Sequence, residues 1–356
     1  MFNVKSLASF TRAGVVPNKA ALFCLLSLSL MLPQCLSAWG NSGHEAVAYV
    51  AWQQMTPAAR TRAIALIKQI PTLHNTDKTK TIPGYAEFLS DLPGGLSQDQ
   101  QNLYLFMRAA TWPDSIKHQW LHDSDIPPAG LKTEVNIGFT DTASHGYWHF
   151  VDSGFASDKS SVPATPVPNA ATQIVALRTA TASKENDALK SYDLIWLEHI
   201  VGDIHQPLHG TVRYYQGAGD EGGNSVVIKM PLAMEKTFEG TQLKTSPREL
   251  HAFWDDLPGE GEPAAALADA AKFAGALPKA AGSKLSNTDP SVWATDSFDL
   301  AHSDAYASPI GTGPKPANAP AYLITQAYYD AAMRDAKSQI ALAGARLAKL
   351  LNENLH

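Results

Sequence analysis

The stretch His199-Ile-Val-Gly-Asp203-Ile-His205-Gln-Pro207-Leu-His209 decides how this chain is read. Residues four apart on a helix share a face, so His199 and Asp203 can point at the same ion. Pro207 ends the helix and lets His209 swing towards a neighbouring position. A second His-x3-Asp pair, His251 and Asp255, repeats the spacing downstream. An imidazole with a carboxylate is only part of a four-coordinate zinc shell, so each pair needs ligands from elsewhere in the chain. His149, Asp114 and His44 are the candidates. One such pair alone is more often a surface ion pair; the combination is what points to metal.

Working outward, most of the chain carries helical patterns. His44–Ile70 is Ala-rich with apolar residues at helical spacing and Pro71 as a stop. Leu103–Thr111 is expected to be helical and to end near Trp112-Pro113-Asp114. Ser144–Asp152 is short and aromatic and reads as extended; Ser153–Asn169 reads as a loop. Ala170–Ile204 reads as one long helix with a polar break near Ser183–Asn186. Gly217–Gly223 is a turn into a strand, Ser225–Met230, and Pro247–Trp254 opens another helix. Ala264–Ala281 and Ala321–Asn352 are helical patterns, the second preceded by a Gly/Pro/Ala linker, Ser308–Pro320. The expectation is a single all-α domain with short strands in its connections and no internal repeat.

The first 38 residues carry Lys5, Arg12 and Lys19, no acidic residue, an apolar run Ala20–Leu32 and a small-residue end at Ala38. This is the pattern of a signal peptide, so residues 1–38 are expected to be removed and 39–356 to form the functional domain. The run is too short for a stable membrane anchor. Export to a periplasm or the cell exterior follows. Cleavage there leaves Trp39 with a free α-amine beside its own carbonyl, a chelating pair, with His44 close by in sequence. Both cysteines, Cys24 and Cys35, lie in the leader, which excludes disulfides and thiolate chemistry from the remainder. Removing the leader's basic residues takes the formal charge from −6 to −9. An acidic chain of this kind does not coat duplex nucleic acid, and any phosphate site in it must be local. His145 and His205 are expected to pack beside the ligands, whereas His74, His118, His122, His302 and His356 read as solvated surface groups.

Six segments occur in order: Trp39-Gly-x-x-Gly-His44, Trp112-Pro-Asp114, Trp148-His149-Phe150-Val-Asp152, His199-x3-Asp203-x-x-Gln206-Pro-Leu-His209, Gly222-Gly-Asn224 and Leu250-His251-x-x-Trp-Asp255. Together they resemble the type I single-strand-specific zinc nucleases, the S1/P1 family, which is related to the bacterial zinc phospholipases C. The resemblance runs from Trp39 to Asp255, with a weaker echo through Ala343–Asn352. It implies a mainly helical phospholipase C/nuclease-like fold and three zinc ions. One ion would be held by Asp114, His149, His199 and Asp203. A second would use the Trp39 amine and carbonyl, His44 and a shared Asp203, and the third His209, His251 and Asp255.

The resemblance also implies an exported monomeric endonuclease with 3′-nucleotidase activity. It would cleave single-stranded DNA and RNA by zinc-activated hydroxide to 5′-phosphorylated products. Asp114 would orient or deprotonate the attacking water, while Lys117 and Asn224 match phosphate-contacting positions. Phe150 would stack on an unpaired base, and Asp152 would accept hydrogen bonds from it. A core role for Phe150 fits its neighbourhood as well. The alternatives are a zinc phospholipase C acting on a phospholipid, or a non-catalytic exported zinc-binding protein. The lack of cysteine departs from the disulfide-bearing fungal and plant members and leads us to expect a bacterial origin.

Overall fold

The computed structural model describes residues 39–69, 73–74, 81–82, 92–115, 145–184, 186–231, 248–259, 266–313 and 320–355. The expectations for the leader, for Lys117 and for His118, His122 and His356 lie outside the described residues. Those described form a mainly helical protein. Its helices are α1 (Asn41–Gln54), α2 (Pro57–Ile67), α3 (Gln98–Ala109), the short α4 (Trp112–Ser115), α5 (Ala170–Thr181), α6 (Asp187–Asp203), α7 (Leu250–Asp256), α8 (Ala266–Gly275), the short α9 (Gly282–Leu285), α10 (Pro290–Leu300) and α11 (Gln326–Asn354). Among the described residues no helix is long and apolar enough to cross a membrane.

Local chemistry sets the ends of these helices. Ser97 and Gln100 form a reciprocal capping box at α3, and Asn169 with Thr172 forms another at α5. Asn186 caps α6 by accepting from the Leu189 amide, and Thr325 caps α11 by accepting from that of Tyr328. The single helix expected over His44–Ile70 is broken in two. Thr56 caps α2 through the Ala59 amide and Pro57 occupies its first turn, so helix geometry restarts after Met55. The polar break expected near Ser183–Asn186 separates α5 from α6 outright.

Helix α6 is the spine. Every residue from Ser191 to Arg213 is buried, as a helix and turn packed on all sides require. Helices α1, α2, α5 and α11 pack against it, and α1 lies along α11. Arg62 grips Asp187 at the start of α6 with two bonds of 2.8 and 2.6 Å. Trp112, Trp148 and Trp196 are all fully buried, and their rings meet edge to face. Trp196 packs in turn against the ring of His149, with centroids 5.4 Å apart.

The strands are short and serve the connections. Leu73–His74 (β1) pairs antiparallel with Thr81–Ile82 (β2). Ser153–Ala156 (β3) runs parallel to Thr211–Tyr215 (β4), which turns back on Ala218–Gly219 (β5). Val227–Lys229 (β6) lies between Arg248–Glu249 (β7) and Tyr322–Leu323 (β8).

Several local expectations are corrected. The aromatic segment expected to be extended instead holds a 3₁₀ turn, Gly146–Trp148, entered from a left-handed His145 (φ 51°). The first residues of the expected Ser153–Asn169 loop form β3. The expected strand Ser225–Met230 shortens to β6, and the helix expected from Pro247 starts at Leu250. The Ala-rich pattern stops at Gly275, and α11 starts at Gln326, after β8. Helix α10, begun by the Asp289 cap and Pro290, was not expected from the pattern.

Candidate metal centre

The candidate ligand positions come from six segments of the chain. His44 lies on α1 and Asp114 on α4. His149 follows the 3₁₀ turn, and His199 and Asp203 share one face of α6. His209 closes the Pro207–His209 turn, while His251 and Asp255 sit on α7. Their donor atoms gather into three sets, each with its members within 4.8 Å of one another: His44/Asp114/His199, His149/His199/Asp203 and His209/His251/Asp255. All of these groups are buried except Asp114, which is partly open.

The first two sets merge. Asp203 lies between them, with Oδ1 3.3 Å from His44 Nε2 and Oδ2 2.8 Å from His149 Nδ1 and 3.2 Å from His199 Nε2. Asp114 spans the same groups, with Oδ1 3.5 Å from His199 Nε2 and Oδ2 4.0 Å from His44 Nε2. In the third set Asp255 Oδ2 is 3.5 Å from His251 Nε2, and Oδ1 is 4.0 Å from His209 Nε2.

Main-chain carbonyls fix the imidazole tautomers. His199 Nδ1–H donates to the Ala110 carbonyl at 2.7 Å, His209 Nδ1–H to that of His149 at 2.8 Å, and His251 Nδ1–H to that of Gly222 at 2.8 Å. In its neutral form each ring would then turn its Nε2 lone pair inward, as a metal ligand must. His209 and His251 bring two such lone pairs within 3.1 Å of each other. Two nitrogens at that distance need a proton or a metal ion between them. Two ligands of one tetrahedral zinc, each about 2.0–2.1 Å from it, lie roughly 3.3 Å apart. The donor set and spacing therefore fit a divalent cation such as zinc.

The electrostatics agree. Burial opposes the charge on His199, yet Asp203 and then Asp114 raise its pKa to about 10. Burial likewise opposes ionisation of Asp203, but His199 and His149 hold its carboxyl well below the usual range. Burial, reinforced by His199, pushes His44 down. Asp203 and Asp114 thus favour positive charge at this point of the cluster.

Two glycines are required by close approach. A Cβ on Gly202 would meet His44 Nδ1 at 2.9 Å, so the glycine before Asp203 lets the His44 ring lie against α6. Gly222 has φ +60°, and a Cβ there would strike the Leu208 carbonyl at 2.6 Å. That conformation presents the carbonyl that orients His251.

The remaining candidates lie around this centre. Phe150 is 8% exposed, and its ring centroid is 4.5 Å from His209 and 6.1 Å from His149, so it touches both halves of the cluster. Asp152 is partly buried in a left-handed conformation (φ 56°). After burial, it is the main cause raising the Tyr214 phenol pKa. Asn224 is partly exposed beside Gly222, its amide donating to the Glu221 carbonyl at 2.6 Å. The Trp39 side chain is fully buried, and the Gly40 amide donates to the Asp255 carbonyl at 2.9 Å, docking this end of the domain on α7.

His145 and His205 belong to none of the three sets. His145 stacks on Trp148 at 3.7 Å, and burial, with His149 adding to it, pushes it down to about 3. His205 donates from Nδ1 to the Val201 carbonyl and accepts at Nε2 from Arg346 of α11 at 2.8 Å. His302 is exposed, as expected. Gln206 stood in the motif without an assigned role, yet its buried amide contacts Asp255 directly, at 2.7 Å. A coordination pattern names ligands, not the amides that hold them.

A mainly helical fold that gathers buried His and Asp groups from six segments defines a class of proteins with clustered metal sites. Within that class, the chain belongs to the S1/P1 nuclease family, whose profile, described as S1/P1 Nuclease, matches residues 39–356. The chain is 29% identical to Endonuclease 4 of Arabidopsis thaliana over 158 residues, covering 41% of this chain and 41% of that protein. It is 24% identical to Endonuclease 2 of the same plant over 220 residues, 62% of this chain and 56% of that one. Against Nuclease S1 of Aspergillus oryzae (strain ATCC 42149 / RIB 40) it is 25% identical over 280 residues, 78% and 75% of the two chains. The matches thus span 41% and 56% of the two plant relatives' lengths.

Proposed function

We propose that this protein is an exported, zinc-dependent endonuclease. It hydrolyses phosphodiester bonds of single-stranded DNA and RNA to 5′-phosphorylated products and has 3′-nucleotidase activity. The observation that carries this reading is the position of Asp203, whose two oxygens face His44 on one side and His149 and His199 on the other. A carboxylate so placed can hold two cations close together, the arrangement that suits in-line displacement at phosphorus. Family membership and the relatives' names support nuclease chemistry.

In this reading Asp114, His149, His199 and Asp203 would hold one zinc ion, His44 and Asp203 with the Trp39 amine and carbonyl would hold a second once residues 1–38 are removed, and His209, His251 and Asp255 would hold a third. When bound, zinc supplies an acidified water as nucleophile and positive charge for the departing 3′-oxygen. Asp114, the least buried carboxylate of the cluster, orients that water and accepts its proton at a carboxylate oxygen. Three divalent cations outweigh Asp114, Asp203 and Asp255, so an acidic protein still presents a positive site to phosphate. Phe150 offers its ring to an unpaired base, which a base held in a duplex cannot reach. Asp152 accepts from that base's N–H groups, and Lys117 and Asn224 hold the scissile phosphate. The protein acts as a monomer.

The test assays single-stranded DNA, RNA and phosphatidylcholine side by side, for the parent and for Asp114→Asn. Cleavage of both nucleic acids, lost in the folded variant, is expected. Turnover of the lipid alone would move the assignment to a phospholipase C. Zinc uptake without turnover of any of the three would leave a binding protein.

A further inference from the structure

We propose that Gln206 is a positioning residue for the third metal set, fixing the Asp255 carboxylate so that it can receive a cation. The inference rests on the zinc reading above. Gln206 is fully buried, on the turn between Asp203 and His209, and all its polar groups are engaged. Its main-chain amide donates to the Asp203 carbonyl at 2.9 Å, and its carbonyl accepts from the His209 amide at 3.0 Å. Its side-chain Oε1 accepts from the Leu208 amide at 2.6 Å, and Nε2 donates to Asp255 Oδ1 at 2.7 Å. The chemistry fixes which end of the amide is which, because a main-chain N–H can only donate and a carboxylate can only accept.

One residue therefore touches a ligand of the merged pair of sets and both a neighbour and a ligand of the third. The bond to Oδ1 sets the rotation of the Asp255 carboxylate and leaves Oδ2 as the oxygen nearest His251 Nε2. Gln206 itself is anchored on both sides by main-chain bonds, so its reach to Asp255 is constant. Without that amide the Asp255 carboxylate loses the bond at Oδ1 that sets its rotation, and the imidazole pair loses a third ligand held in that orientation. Hydrogen bonds of this kind to metal-ligating groups typically change metal affinity by roughly 10–100-fold when removed.

The test titrates metal-free protein with Zn²⁺ against a chromogenic chelator, for the parent, Gln206→Met and Gln206→Asn. Met keeps the volume and removes both side-chain bonds; Asn keeps an amide too short to bridge them. Folding is checked by circular dichroism of the metal-free proteins, and the Asn variant carries the test should Met not fold. His251→Ala identifies which binding step belongs to the third set. The expected result is a roughly 10–100-fold weakening of that step alone, with the other steps at parental affinity. Parental affinity at every step, or equal weakening of all of them, would overturn the proposal. A parent that takes up no Zn²⁺ would overturn the zinc reading and this inference together.

Discussion

His209 donates its Nδ1–H to the main-chain carbonyl of His149 at 2.8 Å, so a member of one candidate metal set is oriented by the backbone of a member of another. The Val151 amide returns a bond to the His209 carbonyl at 2.8 Å, so the two segments are tied in both directions. The tie uses the His149 backbone and not its ring. His149→Ala is therefore expected to lower metal content at the Asp203 cluster while the His209/His251/Asp255 set still binds. Asp203→Asn, which removes the carboxylate facing both halves of the cluster, is expected to lower metal content further. Elemental analysis of the two variants checks the order, and loss of all metal in His149→Ala would contradict it.

Chelation is expected to destabilise the protein, because a ligand that binds only the folded state stabilises it by mass action. Free zinc at one hundred times its dissociation constant contributes about 2.7 kcal/mol per site. For a chain of this size that corresponds to a melting temperature roughly 4 °C lower for each site emptied by the chelator. Differential scanning calorimetry with and without chelator, followed by zinc add-back, measures it.

The proposed stacking role of Phe150 separates from a purely structural one by substrate. Phe150→Ala is expected to lower kcat/KM on single-stranded oligonucleotides by about 1–3 kcal/mol, roughly 5- to 150-fold. Hydrolysis of a phosphodiester without a base should change far less. An equal loss on both substrates would make Phe150 a packing residue only.

How much of this was legible in sequence follows from the chemistry of each feature. Metal ligation restricts residue type, and the helix restricts spacing, so His199/Asp203 and His251/Asp255 stood out as pairs. The glycines at 202 and 222 lie within the motifs, but the contacts that demand them are made by side chains and carbonyls from other segments. The break at Thr56 was hidden because Ala-rich helical periodicity continues across it, and only the Thr-Pro cap marks the restart. Tyr147, Trp148 and Phe150 mimicked a strand, while a left-handed His145 turns the backbone instead. The pairing of β3 with β4 joins Ser153 to Thr211, a separation no local pattern reports.

Asp335 on α11 makes a pH prediction away from the metal centre. Burial first, and then Asp304, raise its pKa from the ordinary 3.8 to about 6, and its Oδ2 has no hydrogen-bond partner among the described residues. A carboxyl whose folded pKa exceeds its unfolded value contributes stability below the unfolded pKa, and that contribution is lost as pH rises through about 6. Asp335→Asn is thus expected to raise the melting temperature relative to the parent at pH 8 and to make little difference at pH 4. Melting curves at the two pH values check the sign.

The most direct measurement is the zinc content, by elemental analysis, of purified protein whose first residue is Trp39, compared with a form that keeps extra residues before it. Three zinc ions per chain in the first form, with reduced zinc and activity in the extended one, is the predicted result. A chain starting at Trp39 that retains no zinc, or an extended form with the full complement and full activity, would contradict it.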